Sequence, residues 1–169
     1  MEVCPADKQE ADAVWRFDMM TRLGVSQHNM CSCSVTAVGD ILFVNTSNGV
    51  DEAHISCPSP DAPSFIAMNK HTGELYWTDG SPGENILHGQ WSSPVVGQIQ
   101  GRSIVFFGGG DGVLYAFDPV TSADPQDGVR SLDLIWQHDC CPPEYRERDG
   151  ELIPYARWNK KREDGPSEM

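Results

Sequence analysis

Cysteine and histidine are the residues here best suited to chemistry. The 169-residue chain holds six cysteines and five histidines. Cys31 and Cys33 stand two apart, so on a strand both point to one face. With His28 and Cys57 they could build a thiolate–imidazole zinc site. Structural zinc sites, however, usually place about two to four residues between the cysteines of a pair, whereas only Ser32 separates Cys31 from Cys33, and no second such pair exists here. A disulfide, or small buried thiols, is therefore the expectation for Cys31, Cys33 and Cys57, with no metal. Cys140 and Cys141 are adjacent, between His138-Asp139 and Pro142-Pro143. They read as a loop pair, free or bridged to other cysteines.

His28 and His88 occupy equivalent places in a sequence repeat. Repeated polar residues where a strand begins are expected to hydrogen-bond loop backbone. His54 and His71 fall in loops and are expected to face solvent. Gly108-Gly109-Gly110-Asp111-Gly112 is glycine-rich, but no Lys-Ser/Thr and no helix follows, so it is not a phosphate loop. Asp51, Glu52 and Asp111 are not spaced as calcium ligands. No Gly-x-Ser-x-Gly, His-Glu-x-x-His or Cys-x-x-Cys-His is present. No catalytic residue and no cofactor is evident.

The elements that must position these residues repeat. Trp15, Trp77 and Trp136 recur about every sixty residues, each two positions after an apolar residue. His28–Val35 aligns with His88–Val95, Ile41–Val44 with Ile104–Phe107, Asn48-Gly49 with Asp111-Gly112, and Phe65–Asn69 with Leu114–Asp118. Thr72-Gly73 or Thr121-Ser122 then leads to the Trp strand. Insertions interrupt the match around 51–64 and 123–130, where surface loops grow at little cost. The apolar runs are short, rich in Val, Ile, Phe and Tyr, and bounded by turn residues, as strands are. Asn48-Gly49 and Asp111-Gly112 are hairpin signals. Residues 5–12 could form a helical turn but read better as an exposed segment, and nothing shows sustained helical periodicity. Four strands per repeat point to an all-β fold of four-stranded β-propeller blades. The three tryptophans are expected to pack between blades.

Phe65-Ile66-Ala67-Met68-Asn69-Lys70-His71-Thr72-Gly73-Glu74-Leu75-Tyr76-Trp77 and Leu114-Tyr115-Ala116-Phe117-Asp118-Pro119-Val120-Thr121 resemble the pyrroloquinoline-quinone-like (PQQ-like) repeat, roughly Leu-Tyr-Ala-Leu-Asp-x-x-Thr-Gly-x-x-x-Trp. The second copy departs from it with Thr121-Ser122 and a long insertion. That family includes quinoprotein alcohol dehydrogenases, BamB-type outer-membrane assembly lipoproteins and secreted propeller proteins. The resemblance implies the end of a preceding blade over 1–23, blades over 24–83 and 84–139, and the start of a further repeat over 140–169. Propellers close with about four to eight blades. The chain is accordingly expected to be a fragment, or a piece that pairs with other copies. Quinoprotein dehydrogenases carry a vicinal disulfide, but the context of Cys140-Cys141 does not match theirs.

The functional expectation is a non-catalytic, extracytoplasmic binding or assembly scaffold, partnered by proteins or by remaining blades. The alternative is part of a quinoprotein alcohol or sugar dehydrogenase, which would need pyrroloquinoline quinone and calcium. Twenty-five acidic against twelve basic residues give a net charge of −13, which disfavours nucleic acid or anionic membrane as partner. The basic run Arg157–Arg162 is followed at once by Glu163 and Asp164 and reads as a solvated loop. No apolar run approaches the ~18 residues of a membrane span. A polar stretch follows Met1, so any export signal would lie upstream. The cysteine content and the family favour a periplasmic or otherwise extracytoplasmic location.

Overall fold

The computed structural model describes residues 13–29, 32–119, 128–145 and 147–152. The described chain is mostly β. Its one α-helix, α1 (Met19–Leu23), is a single turn fixed by its caps. Asp18 accepts the Thr21 N–H at 3.2 Å, and Gly24 ends the turn at φ 69°. Hydrophobic periodicity could not reveal so short an element; the Asp18 and Gly24 caps were its only signal. No helix among the described residues is long and apolar enough to cross a membrane.

Eleven strands follow: β1 (Thr36–Val38), β2 (Ile41–Asn45), β3 (Phe65–Asn69), β4 (Leu75–Asp79), β5 (Val95–Ile99), β6 (Arg102–Gly108), β7 (Val113–Phe117), β8 (Arg130–Ser131), β9 (Leu134–Asp139), β10 (Glu147–Arg148) and β11 (Glu151–Leu152). Two four-stranded antiparallel meanders result, β1-β2-β3-β4 and β5-β6-β7-β9. Short β8 adds to the first in parallel beside β4, and β10-β11 form a separate hairpin. Neither sheet closes on itself.

The repeat is visible in register. Ala67 pairs with Trp77, and Ala116 pairs with Trp136. Each sheet carries an irregularity just after that pair, at Ala67/Met68 and at Ala116/Phe117. One half of the predicted turn chemistry holds. Asp111-Gly112 lies in the turn between β6 and β7, with Gly112 at φ 80°. Asn48-Gly49 turns no hairpin. It lies in the long β2–β3 connection, where Asn48 bridges Gln27 of the N-terminal segment. The insertion over 51–64 leaves Asn48 far in sequence from β3, so a two-residue turn is impossible there.

The sheets stack with opposite kinds of face in contact. Sheet one presents Ile41, Phe43, Phe65, Ala67 and Trp77; sheet two presents Val105, Phe107, Tyr115 and Phe117. Phe65 stacks on Phe107 at 5.1 Å and on Phe117 at 5.7 Å between centroids. Alternation along a strand puts Val105, Phe107, Tyr115 and Phe117 on the face opposite Trp136. The Trp-bearing face of the first sheet therefore meets the back of the second. The back of the first sheet, with Leu42, Val44, Ile66 and Met68, shares a pocket with Trp15, Phe17 and Met19. Trp15 donates Nε1–H to the Lys70 carbonyl at 2.8 Å. Its ring lies where a Cβ on Gly73 would come within 2.7 Å, so glycine is required there. The Trp-bearing face of sheet two is open: Val95, Ile99, Leu134 and Trp136 are all exposed.

Candidate functional site

The segments leading into β1 and β5 run together, tied by the start of the β2–β3 connection. His28 donates its N–H to the Ser47 carbonyl, Gly49 to Ser26, Val50 to His88, and Leu87 to Gly110. Gly49 sits in the crossing. A Cβ there would fall 2.5 Å from the His28 Cβ and 2.7 Å from the His88 carbonyl oxygen. The glycine thus sets how closely the two histidine segments approach. The His28 ring bonds loop backbone at the Val50 carbonyl, whereas the His88 ring meets another imidazole, that of His54. The His28 and His88 rings also meet each other, with centroids 4.4 Å apart.

A third imidazole joins them. His54 lies 4.9 Å from the His28 centroid and 4.6 Å from that of His88. The Asp51 carboxylate, which accepts N–H groups from Ile55 and Ser56 and the Ser56 hydroxyl, ties the turn that presents it. His54 takes a left-handed backbone conformation, φ 59°, rare for a residue with a Cβ. His28 is buried; its Nδ1 lies 2.8 Å from the Val50 carbonyl, which can only accept. That bond places the proton on Nδ1 and leaves Nε2 with a lone pair, facing the Asn29 amide at 2.9 Å. Nε2 of His54 and Nε2 of His88 are 2.9 Å apart. Burial, then the nearness of His28 and His54, holds the His88 pKa below its ordinary value. His88 is therefore biased toward the neutral imidazole, the form whose lone pair can bind a metal. The Trp91 ring lies beside it, 5.1 Å from His88. A cleft of about 270 Å³ opens at His54, walled by Val50, Cys57, Glu84 and Leu87 among others. Sequence spacing could not find this cluster, because its third member rides on the insertion that breaks the repeat.

The other expected site residues fall elsewhere. Cys33 donates its thiol to the Asn45 carbonyl at 3.3 Å, and Cys57 lines the His54 cleft. Cys140 places its sulfur 3.6 Å from the His138 carbonyl, and the Cys141 N–H goes to Asp139 at 2.9 Å. Cys4 and Cys31 lie outside the described residues, as do 5–12, 157–162 and the supposed opening of a further repeat at 165–169. His71 pairs with exposed Asp40. The glycine run serves packing: a Cβ on Gly110 would meet the Gly89 carbonyl at 2.6 Å, and one on Gly109 the Tyr115 ring at 2.7 Å.

Asp111 is buried and accepts the Tyr115 hydroxyl at 2.7 Å and the Val113 N–H at 3.1 Å. Burial raises its pKa above the ordinary 3.8, and the two hydrogen bonds only partly oppose this. The folded state therefore holds the proton more tightly than the unfolded chain. Its contribution to stability is full below pH 3.8 and is lost as pH rises through the folded pKa. Asp111→Asn removes the charge, keeps an acceptor for the Val113 N–H, and reverses the second bond so that its amide donates to the Tyr115 oxygen. In urea melts the variant should gain on the parent as pH rises from about 4 to 7. The exposed carboxylates Asp18, Asp40 and Asp51, whose pKa values are lowered by hydrogen bonds, act with the opposite sign and are common to both proteins. A difference in stability that is flat or falls with pH would show that burial does not govern Asp111.

No known family profile matches the chain, and no curated protein matches it in sequence.

Proposed function

We propose that the two sheets are blades of a PQQ-like propeller and that the protein is a non-catalytic, extracytoplasmic scaffold for binding or assembly. The head-to-tail stacking carries this reading. A face that packs on the opposite face of its neighbour forms a heterologous interface, which repeats into a ring where the rotation closes and into an open stack where it does not. Each Trp takes its place in the series. Trp15 lies over the back of sheet one, buried Trp77 lies over the back of sheet two, and Trp136 faces the position where the next sheet would stand. A four-stranded meander with an exposed apolar face is a poor terminus and a good joining surface.

Self-association and catalysis test the proposal together. Sedimentation of the purified chain should show association that grows with concentration. Trp136→Glu should weaken it by at least about tenfold, since a carboxylate on that face must be desolvated. The protein should oxidise no alcohol or sugar when given pyrroloquinoline quinone, calcium and a dye acceptor. A wild-type chain that stays monomeric at all concentrations would overturn the joining surface. Quinone-dependent turnover would overturn the scaffold reading in favour of a dehydrogenase.

A further inference from the structure

We propose that His28, His54 and His88 form a three-histidine site for a divalent first-row transition-metal ion of the zinc class, with a fourth position open to water. One ring nitrogen from each residue lies within 4.8 Å of one from each of the others. Three imidazoles with an open fourth position make an established zinc donor set, and the same ligands suit copper and nickel. Calcium and magnesium prefer oxygen and are excluded by the ligand type.

The geometry needs little change. Two nitrogens bound tetrahedrally at roughly 2.05 Å stand about 3.3 Å apart. The His54–His88 pair, at 2.9 Å, must open slightly, and the widest edge of the triangle must close. One ring nitrogen of His28 is already committed, which leaves the other for a metal. Its Nδ1–H is spent on the Val50 carbonyl, the outer-shell bond that fixes the tautomer of many metal-binding histidines. Only the Asn29 amide must swing off Nε2. The backbone fixes two of the three ligands relative to each other, because Val50 both accepts from His28 and donates its N–H to the His88 carbonyl. His54 is exposed at the tip of a turn and closes over the pair. His54 and His88 are both exposed, which gives the ion access to solvent and room for a fourth ligand. A net charge of −13 draws cations toward the whole surface.

This site is independent of the propeller reading. Its test is titration of the chelator-treated full chain with Zn²⁺ by calorimetry, and with Co²⁺ by absorbance. One ion should bind per chain. Bound cobalt should give the intense visible bands of a tetrahedral complex without the near-ultraviolet band of cobalt–thiolate bonds. His54→Gln changes an exposed loop residue and leaves the core untouched; it should weaken Zn²⁺ binding at least about tenfold, as should His88→Gln. His71→Gln and His138→Gln, outside the cluster, should leave it unchanged. The proposal is overturned by non-saturable binding, by affinity indifferent to His54→Gln and His88→Gln, or by a thiolate band that vanishes in Cys57→Ser.

Discussion

Replacing Trp77 by alanine should destabilise the protein by about 3–5 kcal/mol, the usual range for emptying an aromatic site in a core. The same change at Trp136, measured at concentrations low enough that the chain is dissociated, should cost only about 1–2 kcal/mol. The two residues hold the same position: each pairs with an alanine of the neighbouring strand beside the same irregularity. They differ in what lies over them. Trp77 is 3% exposed, whereas Trp136 is 39% exposed and meets Phe106 of its own sheet at 5.8 Å. At Trp77 the lost transfer energy is joined by a cavity term, because Phe43, Phe65 and the facing sheet cannot collapse into the space. At Trp136 solvent fills the vacancy. Urea unfolding measures both, with the midpoint moving and the slope unchanged if only stability is altered. Total stability for a domain is about 5–15 kcal/mol, so the loss at Trp77 is a large share of it. Equal effects at the two sites would mean that the Trp136 face is covered, and sedimentation would then show by how many copies.

The repeat was legible because it is written in strongly patterned residues. The apolar runs became β2, β3, β6 and β7, and Trp77 and Trp136 pair with equivalent alanines of the two sheets. Three features did not show. The Asn48-Gly49 dipeptide carries a hairpin signal, yet its glycine serves a close approach of chains and not a turn. Local sequence cannot separate the two uses of glycine. Strand β8 joins sheet one across the intervening second sheet, a long-range pairing of two residues that no pattern announces. The histidine cluster gathers residues 28, 54 and 88, and only the first and last share a place in the repeat. His54 reaches them through a left-handed residue in a loop that the repeat does not contain. An insertion breaks the periodicity that makes a repeat readable, and here it carries the side chain that completes the cluster.

Gly49→Ala should cost about 3 kcal/mol or more, at the upper end of what forced overpacking does. The added Cβ would stand 2.5 Å from one side-chain atom, the His28 Cβ, and 2.7 Å from a backbone oxygen, that of His88. Neither is the far end of a flexible chain. Relief requires moving the segment of His28 or that of His88, and both are pinned. His28 is buried and bonded through its N–H to Ser47 and through Nδ1 to Val50. His88 is held by the Val50 N–H, and Leu87 beside it by the Gly110 carbonyl. Separating the segments breaks one or more of these bonds, each worth about 1 kcal/mol net and more when a buried partner is left unmade. Gly39→Ala is the control, since a Cβ there meets nothing within 4 Å and only the positive φ of 58° opposes it. It should cost about 1 kcal/mol. The same widening would draw His28 away from His88. Gly49→Ala should therefore lose Zn²⁺ affinity under conditions where the variant is still folded by circular dichroism, and Gly39→Ala should not. Full Zn²⁺ binding by a folded Gly49→Ala protein would show that the spacing of the two segments does not define the histidine site.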